Sequence, residues 1–450
     1  MQSRKFIDQE TVVVNTDYRV VVGSSAWQLN GVNIFSEHLV RGLRQRGVDA
    51  HVLFTEQDTW LVQLPKEMMP FPKDLPSTSL PTAHQATWET HWYATIKYLE
   101  ALAPCIYFPN SDFRHSCVTP LLPDNVTVVG LIQGDDPIHY EHVHRLGAYW
   151  DAIVCVSDEI AEKVGRIDPG FKPRIHAIPN TVLVPDHCPP RERAIGSPLR
   201  IVYHGVLNTY QKRILNIADI LTELERRQIP FHMTLAGDGP QKSELLERCV
   251  KWISSGDMEY KGIVAHHDID AMLREADAYI MTSAFEGMPH ALLEAMAQGC
   301  VPVVTDIDSG IPELVTQGKS GFRSPIGDIK AFADRFTELQ QNAALCAEMS
   351  IEAHRSIKES RFNVDAMIDA YLELFPKIVH DAPGKTYQRP RGTVLPPPAV
   401  VNGLSIFPCE TAGFIEDVHR MLNSRKPVAT NVPPRPKGLL AKIWKKLSSS

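Results

Sequence analysis

Short β-branched runs alternate with helical patterns along nearly the whole chain, and few architectures accommodate that order. Parallel strands cannot be joined by tight turns; each crossover takes a dozen residues or more and is usually a helix. Tyr18–Gly23 (YRVVVG) reads as a first buried strand, Val32–Arg46 as an amphipathic helix, and Asp49–Phe54 as the second strand. Cys105–Phe108, Val126–Leu131, Ala152–Val156 and Arg174–Ile178 continue the series. Pro185–Pro198 (PDHCPPRERAIGSP) interrupts it with proline and charge, the composition of a linker. A second block begins at Leu199–His204 and continues through Phe231–Ala236, Met258–Tyr260, Ala278–Met281 and Val301–Thr305. Asn363–Val379 has apolar residues at helical spacing. Asp381–Val400 is rich in proline and is expected to be unfolded or extended. The fold class is α/β, and 450 residues suit two cores rather than one. The expected organisation is a Rossmann-like domain over 1–190, another over 191–362, a helix over 363–380, and a proline-rich extension with a basic tail over 381–450.

Charge and cysteine usage exclude several classes. A formal charge of −7 does not make an electrostatic nucleic-acid binder, so no nucleic-acid partner is expected. The eight cysteines form no CxxC pair, and several sit in apolar runs, so a reducing, cytoplasmic compartment is expected. The opening stretch carries acids inside its apolar part, unlike a signal peptide, and no run reaches the roughly 18 apolar residues of a spanning helix. From Arg425 onward there are lysines and arginines but no acids. As a helix, Lys437–Leu447 (KGLLAKIWKKL) gathers Leu439, Leu440, Ile443, Trp444 and Leu447 on one side, with lysines on the others. That pattern fits an interfacial helix on an anionic membrane surface; a disordered tail or a partner-docked helix has the same composition.

The segment Thr282–Gly321 (TSAFEGMPHALLEAMAQGCVPVVTDIDSGIPELVTQGKSG) reads as strand end, tight turn, helix, buried strand, turn and short helix. Glu286 stands in the turn before Gly287 and Pro289, and Glu294 falls eight positions later, inside the helix Pro289–Gln298. At 1.5 Å per helical residue that spacing is about 12 Å, beyond the roughly 5–9.5 Å of a glycosidase acid/base pair. The two carboxylates therefore read as separate hydroxyl acceptors along one extended polar ligand. The backbone N–H groups of Gly287, Met288 and His290, with Pro289 between them, mark a helix entrance open to a sugar hydroxyl or phosphate. For either carboxylate alone, a helix cap or a solvated face is the plainer reading.

This segment resembles the E-x7-E region of retaining glycosyltransferases of family 4, which have the GT-B fold: two Rossmann-like domains facing across a cleft. The likeness extends more weakly over Tyr18–Val379. It implies transfer of a sugar from a nucleotide-diphosphate sugar to a glycan or lipid-linked acceptor, with retention of anomeric configuration and with no cofactor or metal. It puts the donor sugar on Glu286 and the ribose on Glu294. HGVLNTYQKRI, in which Gly205 is the glycine of the phosphate loop, places Lys212 where the family has a lysine on the donor diphosphate, and LAGDGP with Gly237 resembles the strand-end turn. Lys261–Gly262 and the helix Asp268–Ala276 sit where the family wraps the nucleobase, and Asn30–Gly31–Val32 resembles its glycine-rich loop. Asn363–Val379 resembles the terminal helix that returns to the first domain.

Two departures stand out. Val206 follows Gly205 where the family has an Arg, so Arg213 is expected to supply that charge beside Lys212. Gln133 and Gly134 occupy the place of a family histidine, leaving Asp135, Asp136 or His139 to line the acceptor site. These losses keep two other readings open: a catalytically silent GT-B scaffold or regulatory subunit, and a nucleotide-sugar epimerase of the same fold. His139, His142 and His144 with Glu141 do not share a helical face and are not expected to hold a metal; Asp306–Ile307–Asp308 is read as a loop, and Ser157 as a helix cap.

Overall fold

The computed structural model describes residues 18–24, 27, 30–54, 71–80, 88–110, 113–191, 193–194, 196–392, 400–401 and 404–405. The tail 437–447 lies outside the described residues.

The first domain runs β1 (Arg19–Ser24), α1 (Gly31–Gln45), β2 (Ala50–Phe54), β3 (Ser77–Ser79), α2 (Trp88–Leu102), β4 (Cys105–Phe108) and α3 (Phe113–Ser116). It continues with β5 (Val126–Ile132), α4 (Pro137–Leu146), β6 (Ala152–Cys155), α5 (Asp158–Ile167) and β7 (Ile175–Ala177). All pairings in its sheet are parallel, in the order β3-β2-β1-β4-β5-β6-β7. Every residue of β4, β5 and β6 is buried, as continuous apolar strands covered on both faces must be.

The second domain runs β8 (Leu199–His204), α6 (Leu215–Arg226), β9 (Phe231–Ala236), α7 (Lys242–Arg248), α8 (Val250–Ser255), β10 (Met258–Gly262), α9 (His266–Glu275) and β11 (Ala278–Met281). Then follow α10 (His290–Ala297), β12 (Val301–Thr305), α11 (Ile311–Leu314), β13 (Phe322–Ser324), α12 (Ile329–Gln341), α13 (Ala343–Lys358) and α14 (Val364–Ile378). Its parallel sheet has the order β10-β9-β8-β11-β12-β13. In both sheets the order reverses beside the first strand, which opens a crevice at the carboxyl ends of the strands.

α14 leaves the second domain and packs on α1. A Cβ built on Gly42 would lie 2.4 Å from Ile368, so only glycine lets the two helices approach this closely. Phe35, Phe108, Tyr371 and Phe375 interlock at that contact, and Arg46 pairs with Asp365 and Asp369 at its rim.

The linker and the extension are both more fixed than their composition suggests. Arg191 donates to the carbonyls of Gly299, Arg274 and Gln298, the last turns of α9 and α10, where a cation meets the negative ends of helix dipoles. Arg193 does the same for Leu339 and Gln340 at the end of α12. Beyond α14, the chain turns at 381–384 and continues without regular secondary structure to 392, docked on the first domain. Lys385 Nζ reaches Asp151 at 2.9 Å, the Arg174 guanidinium lies 3.7 Å from the Tyr387 ring centre, and Arg389 donates to Pro123 O at 2.7 Å. Proline denies this stretch regular structure, but its interspersed cations and Tyr387 give it partners. Ser157 caps α5, its Oγ accepting from Ile160 N at 3.2 Å.

Candidate active site

The strand β11 ends at Met281, and the chain turns through residues 282–289 before α10 begins. Pro289 holds the cap position and contributes no side-chain acceptor, so nothing from that residue covers the first amides of the helix. The turn presses against the other domain: a Cβ on Gly287 would lie 2.1 Å from Gln133 O. Nearby, Asn30 caps α1 by accepting from Asn33 N at 2.9 Å, and a Cβ on Gly31 would lie 2.5 Å from His290 Cδ2. The amino ends of α1 and α10 thus meet across the interdomain seam at Gly31 and His290. Two positive helix ends opposed in this way favour an anion between them. Met288 is buried against Gly310, and its carbonyl accepts from Asn180 Nδ2 at 3.0 Å.

Glu286 is the hub of the turn. Its Oε1 accepts from Lys212 Nζ at 2.6 Å and from Ser283 Oγ at 2.6 Å, and its Oε2 accepts from Gln211 Nε2 at 3.2 Å. The loop carrying Lys212 is fixed independently. Asn208 Oδ1 accepts from the amides of Gln211 at 3.0 Å and Lys212 at 2.9 Å, and Thr282 Oγ1 donates to Lys212 O at 2.8 Å. Arg213 occupies the left-handed region at φ 47, a conformation that costs a residue with a Cβ about 1–2 kcal/mol. Its guanidinium lies toward Gly327, so Lys212 and Arg213, expected to act together, have different partners here.

Glu294 lies within α10 and is buried. Its Oε2 accepts from His204 Nε2 at 2.9 Å and its Oε1 from His266 Nε2 at 3.1 Å. Burial pushes this carboxyl up, but the two imidazole hydrogen bonds outweigh it and hold the group well below the usual carboxylate range. The same bond, opposed by burial, raises His266. Burial pulls His38, on the facing α1, and His290 down to about 4. Neither His290 ring nitrogen has a hydrogen-bond partner among the described residues.

Glu286 and Glu294 therefore do not share one helix. Glu286 precedes α10, and each carboxylate organises its own cluster, with both oxygens of each engaged. The glycines at the strand ends bring backbone close to backbone. Gly205 has φ +145 and Gly237 φ +134, and a Cβ on Gly237 would lie 1.9 Å from Gly205 O. Val206, in the place of the expected Arg, is exposed.

On the first domain, Asp135 is committed to internal partners. Its Oδ2 accepts from Lys163 Nζ at 2.7 Å, and Tyr140 OH donates to its other oxygen. Lys163 Nζ also donates to Asp308 O of the second domain at 2.8 Å, so the cation on Asp135 bridges the two domains. Asp136 caps α4 through Ile138 N at 3.1 Å and accepts from Tyr210 OH of the second domain, also at 3.1 Å. His139 packs on Gly134, where a Cβ would lie 2.6 Å from its Nε2. Gln133 Nε2 donates to Asn110 Oδ1 at 3.3 Å.

His204, His266, Tyr210, Gln211 and Ser283 are additions that the motif pattern did not single out. The one signal was position: His204 closes a strand and His266 opens a helix, both at carboxyl ends of strands or just beyond. Among the described residues no group of three or more His, Cys, Asp or Glu could hold a metal ion. His142 packs on Trp150, and Asp306 pairs with Arg323 at 2.8 Å.

Residues 198–342 match the family model described as glycosyl transferases group 1. A putative colanic acid biosynthesis glycosyltransferase, WcaL, of Salmonella typhimurium is 32% identical over 182 residues, 39% of this chain and 44% of that protein. The amylovoran biosynthesis glycosyltransferase AmsK of Erwinia amylovora is 32% identical over 185 residues, 38% of this chain and 42% of that protein. The chain thus spans less than half the length of these curated relatives. Among solved structures, Anabaena HepE in complex with UDP and glucose is similar at a TM-score of 0.62 with 14% identity, over 79% of this chain and 99% of that one. The chain has the GT-B fold, two parallel-sheet Rossmann-like domains, and its second domain carries the segment that matches glycosyl transferases group 1.

Proposed function

We propose that the chain is a glycosyltransferase that moves a sugar from a nucleotide-diphosphate donor to a saccharide acceptor, with retention of anomeric configuration and without a metal. The observation that carries this reading is the Lys212–Glu286 pair set beside the amino end of α10, with the amino end of α1 opposite. Negative charge develops on the diphosphate as the glycosidic bond breaks. A cation and unpaired helix amides held in place before the reaction stabilise that charge without reorganising. Lys212 is the leaving-group cation, Glu286 fixes it and orients the donor sugar, and Arg213 adds positive charge on the flank. The UDP and glucose named for the Anabaena structure support a donor of this class. The relatives named for colanic acid and amylovoran biosynthesis support an exopolysaccharide or lipid-linked glycan as acceptor. A cytoplasmic protein whose tail at 437–447 rests on the membrane would meet a lipid-linked acceptor there; among the described residues no helix is long and apolar enough to cross a membrane.

Donor hydrolysis and transfer measured in Glu286→Ala and Lys212→Ala test the assignment. Each is expected to lose about 100-fold or more in turnover. Unchanged turnover in both variants removes them from the site. Gln133, its amide turned to Asn110 where the family has a histidine, favours a second reading, a scaffold that binds donor but does not turn it over. Donor binding with no transfer across an acceptor panel is the outcome that selects it.

A further inference from the structure

The loop after β8 turns apolar residues toward water. Tyr210 is 60% exposed, the highest figure for a large apolar side chain among the described residues, and Val206 on the same loop is also exposed. Single exposed apolar residues are ordinary, but Tyr210 is held in place. Its hydroxyl donates to Asp136 Oδ2 at 3.1 Å, at the start of α4 in the first domain. Its ring meets that of Phe285 edge to face, with the centres 5.2 Å apart. Phe285 immediately precedes Glu286, and Gln211, next to Tyr210, donates to both Phe285 O and Glu286. The Tyr210 ring therefore spans from the Glu286 turn to the first domain. It is fixed at its tip and against Phe285, with most of the residue left in water.

We propose that Tyr210 is a specificity-determining residue for the acceptor: one sugar ring of the acceptor stacks on its aromatic face, between Asp136 and the Glu286 turn. This rests on the transferase reading above, and it gives the second domain a share in acceptor recognition. A sugar ring carries hydroxyls around its rim and gathers C–H groups on its faces. At an open site the hydroxyls exchange water for protein with little net gain. An aromatic face laid on a C–H patch removes apolar surface from water, and its negative π cloud meets polarised hydrogens. A ring already oriented by two contacts also loses little freedom on binding. Stacking of this kind discriminates, because a hydroxyl directed at the aromatic face is buried without a partner. Sugars with an uninterrupted C–H face are preferred over epimers whose axial hydroxyl breaks it.

The test is saturation-transfer-difference NMR on the full chain, with the methyl glycosides of glucose, galactose, mannose and N-acetylglucosamine as probes. Calorimetric binding of UDP and of GDP is measured on the same proteins. The wild type is expected to pass saturation to the ring C–H protons of these probes unequally. Tyr210→Ala is expected to weaken the best probe about tenfold and to level the differences among the four. Tyr210→Phe keeps the aromatic face, so it keeps the ranking. If Tyr210→Ala gives the wild-type signals and ranking, or if the wild type saturates none of the probes, the proposal is overturned. Nucleotide binding in those same samples leaves the donor reading standing. If the wild type binds neither nucleotide, the donor reading itself is overturned.

Discussion

Lys212 Nζ lies 2.6 Å from Glu286 Oε1, joining the loop after β8 to the turn after β11, and Glu286 is almost fully buried. Each side chain is thereby fixed by a loop 74 positions away in sequence. Removing the cation leaves a buried carboxylate with only Ser283 and Gln211. Lys212→Met is expected to destabilise the protein by about 3 kcal/mol in urea unfolding. Glu286→Gln added to it should recover part of that loss, because the uncompensated charge is gone. A Lys212→Met loss under about 0.5 kcal/mol would show that the pair does not hold the turn.

The contact of Gly287 with Gln133 O is backbone against backbone, so neither side can turn away. Gly287→Ala is expected to lower stability by about 1–3 kcal/mol and to part the two domains at this point. Thermal unfolding and the radius of gyration from small-angle scattering report the two effects. Gly31→Ala meets only the His290 ring and should cost less.

Tyr210 and Asp136 link the domains by one hydrogen bond at an exposed site. Tyr210→Phe should therefore change stability by no more than about 0.5 kcal/mol. Asp136→Ala loses the α4 cap as well, worth about 1 kcal/mol. Equal losses in the two variants would contradict this division of roles.

His38 and His290 are held neutral by burial, each pulled down to about 4. A histidine depressed in the folded state binds its proton more readily when unfolded, so stability falls as pH drops from about 6.5 toward 4. The expected loss is about 2–3 kcal/mol per histidine at pH 4.5. Glu294, depressed as a carboxylate, adds a further loss only below its ordinary range. His266 runs the other way: its contribution is complete below 6.5 and fades as pH rises through its raised pKa. Urea unfolding at pH 7 and 4.5, repeated in His290→Asn, checks the acid limb; a wild-type curve flat across that interval would refute it.

Much of the architecture was legible because buried parallel strands write themselves as continuous apolar runs. Cys105–Phe108, Leu199–His204, Phe231–Ala236, Ala278–Met281 and Val301–Thr305 have the limits read from sequence. β3 was missed because Ser77–Ser79 is largely exposed and polar, with no apolar signal to find. The short β13 was missed because Phe322–Ser324 carries only three residues of pattern. At the site, the motif singled out Glu286, Glu294 and Lys212, but which groups they hold was not legible in it. Those partners come from loops distant in the chain, and a pattern within one segment has no access to them. Asp135 is a further case. Its partners, Lys163 and Tyr140, come from neighbouring helices and could not be read from the segment that carries it.

The arginines of the linker also decide where the molecule can bend. With Arg191 and Arg193 gripping three helix ends, and Lys358 donating to Asp186 O, the chain from Asp186 onward moves with the second lobe. The crossing between the lobes lies earlier, and it is double. Val182 N donates to Phe362 O at 3.2 Å, and Val182 bridges in parallel to Asn363. The outgoing and returning strands run side by side at that place. A closure of one lobe upon the other that left the gripped segments intact would bend both crossings at this one place.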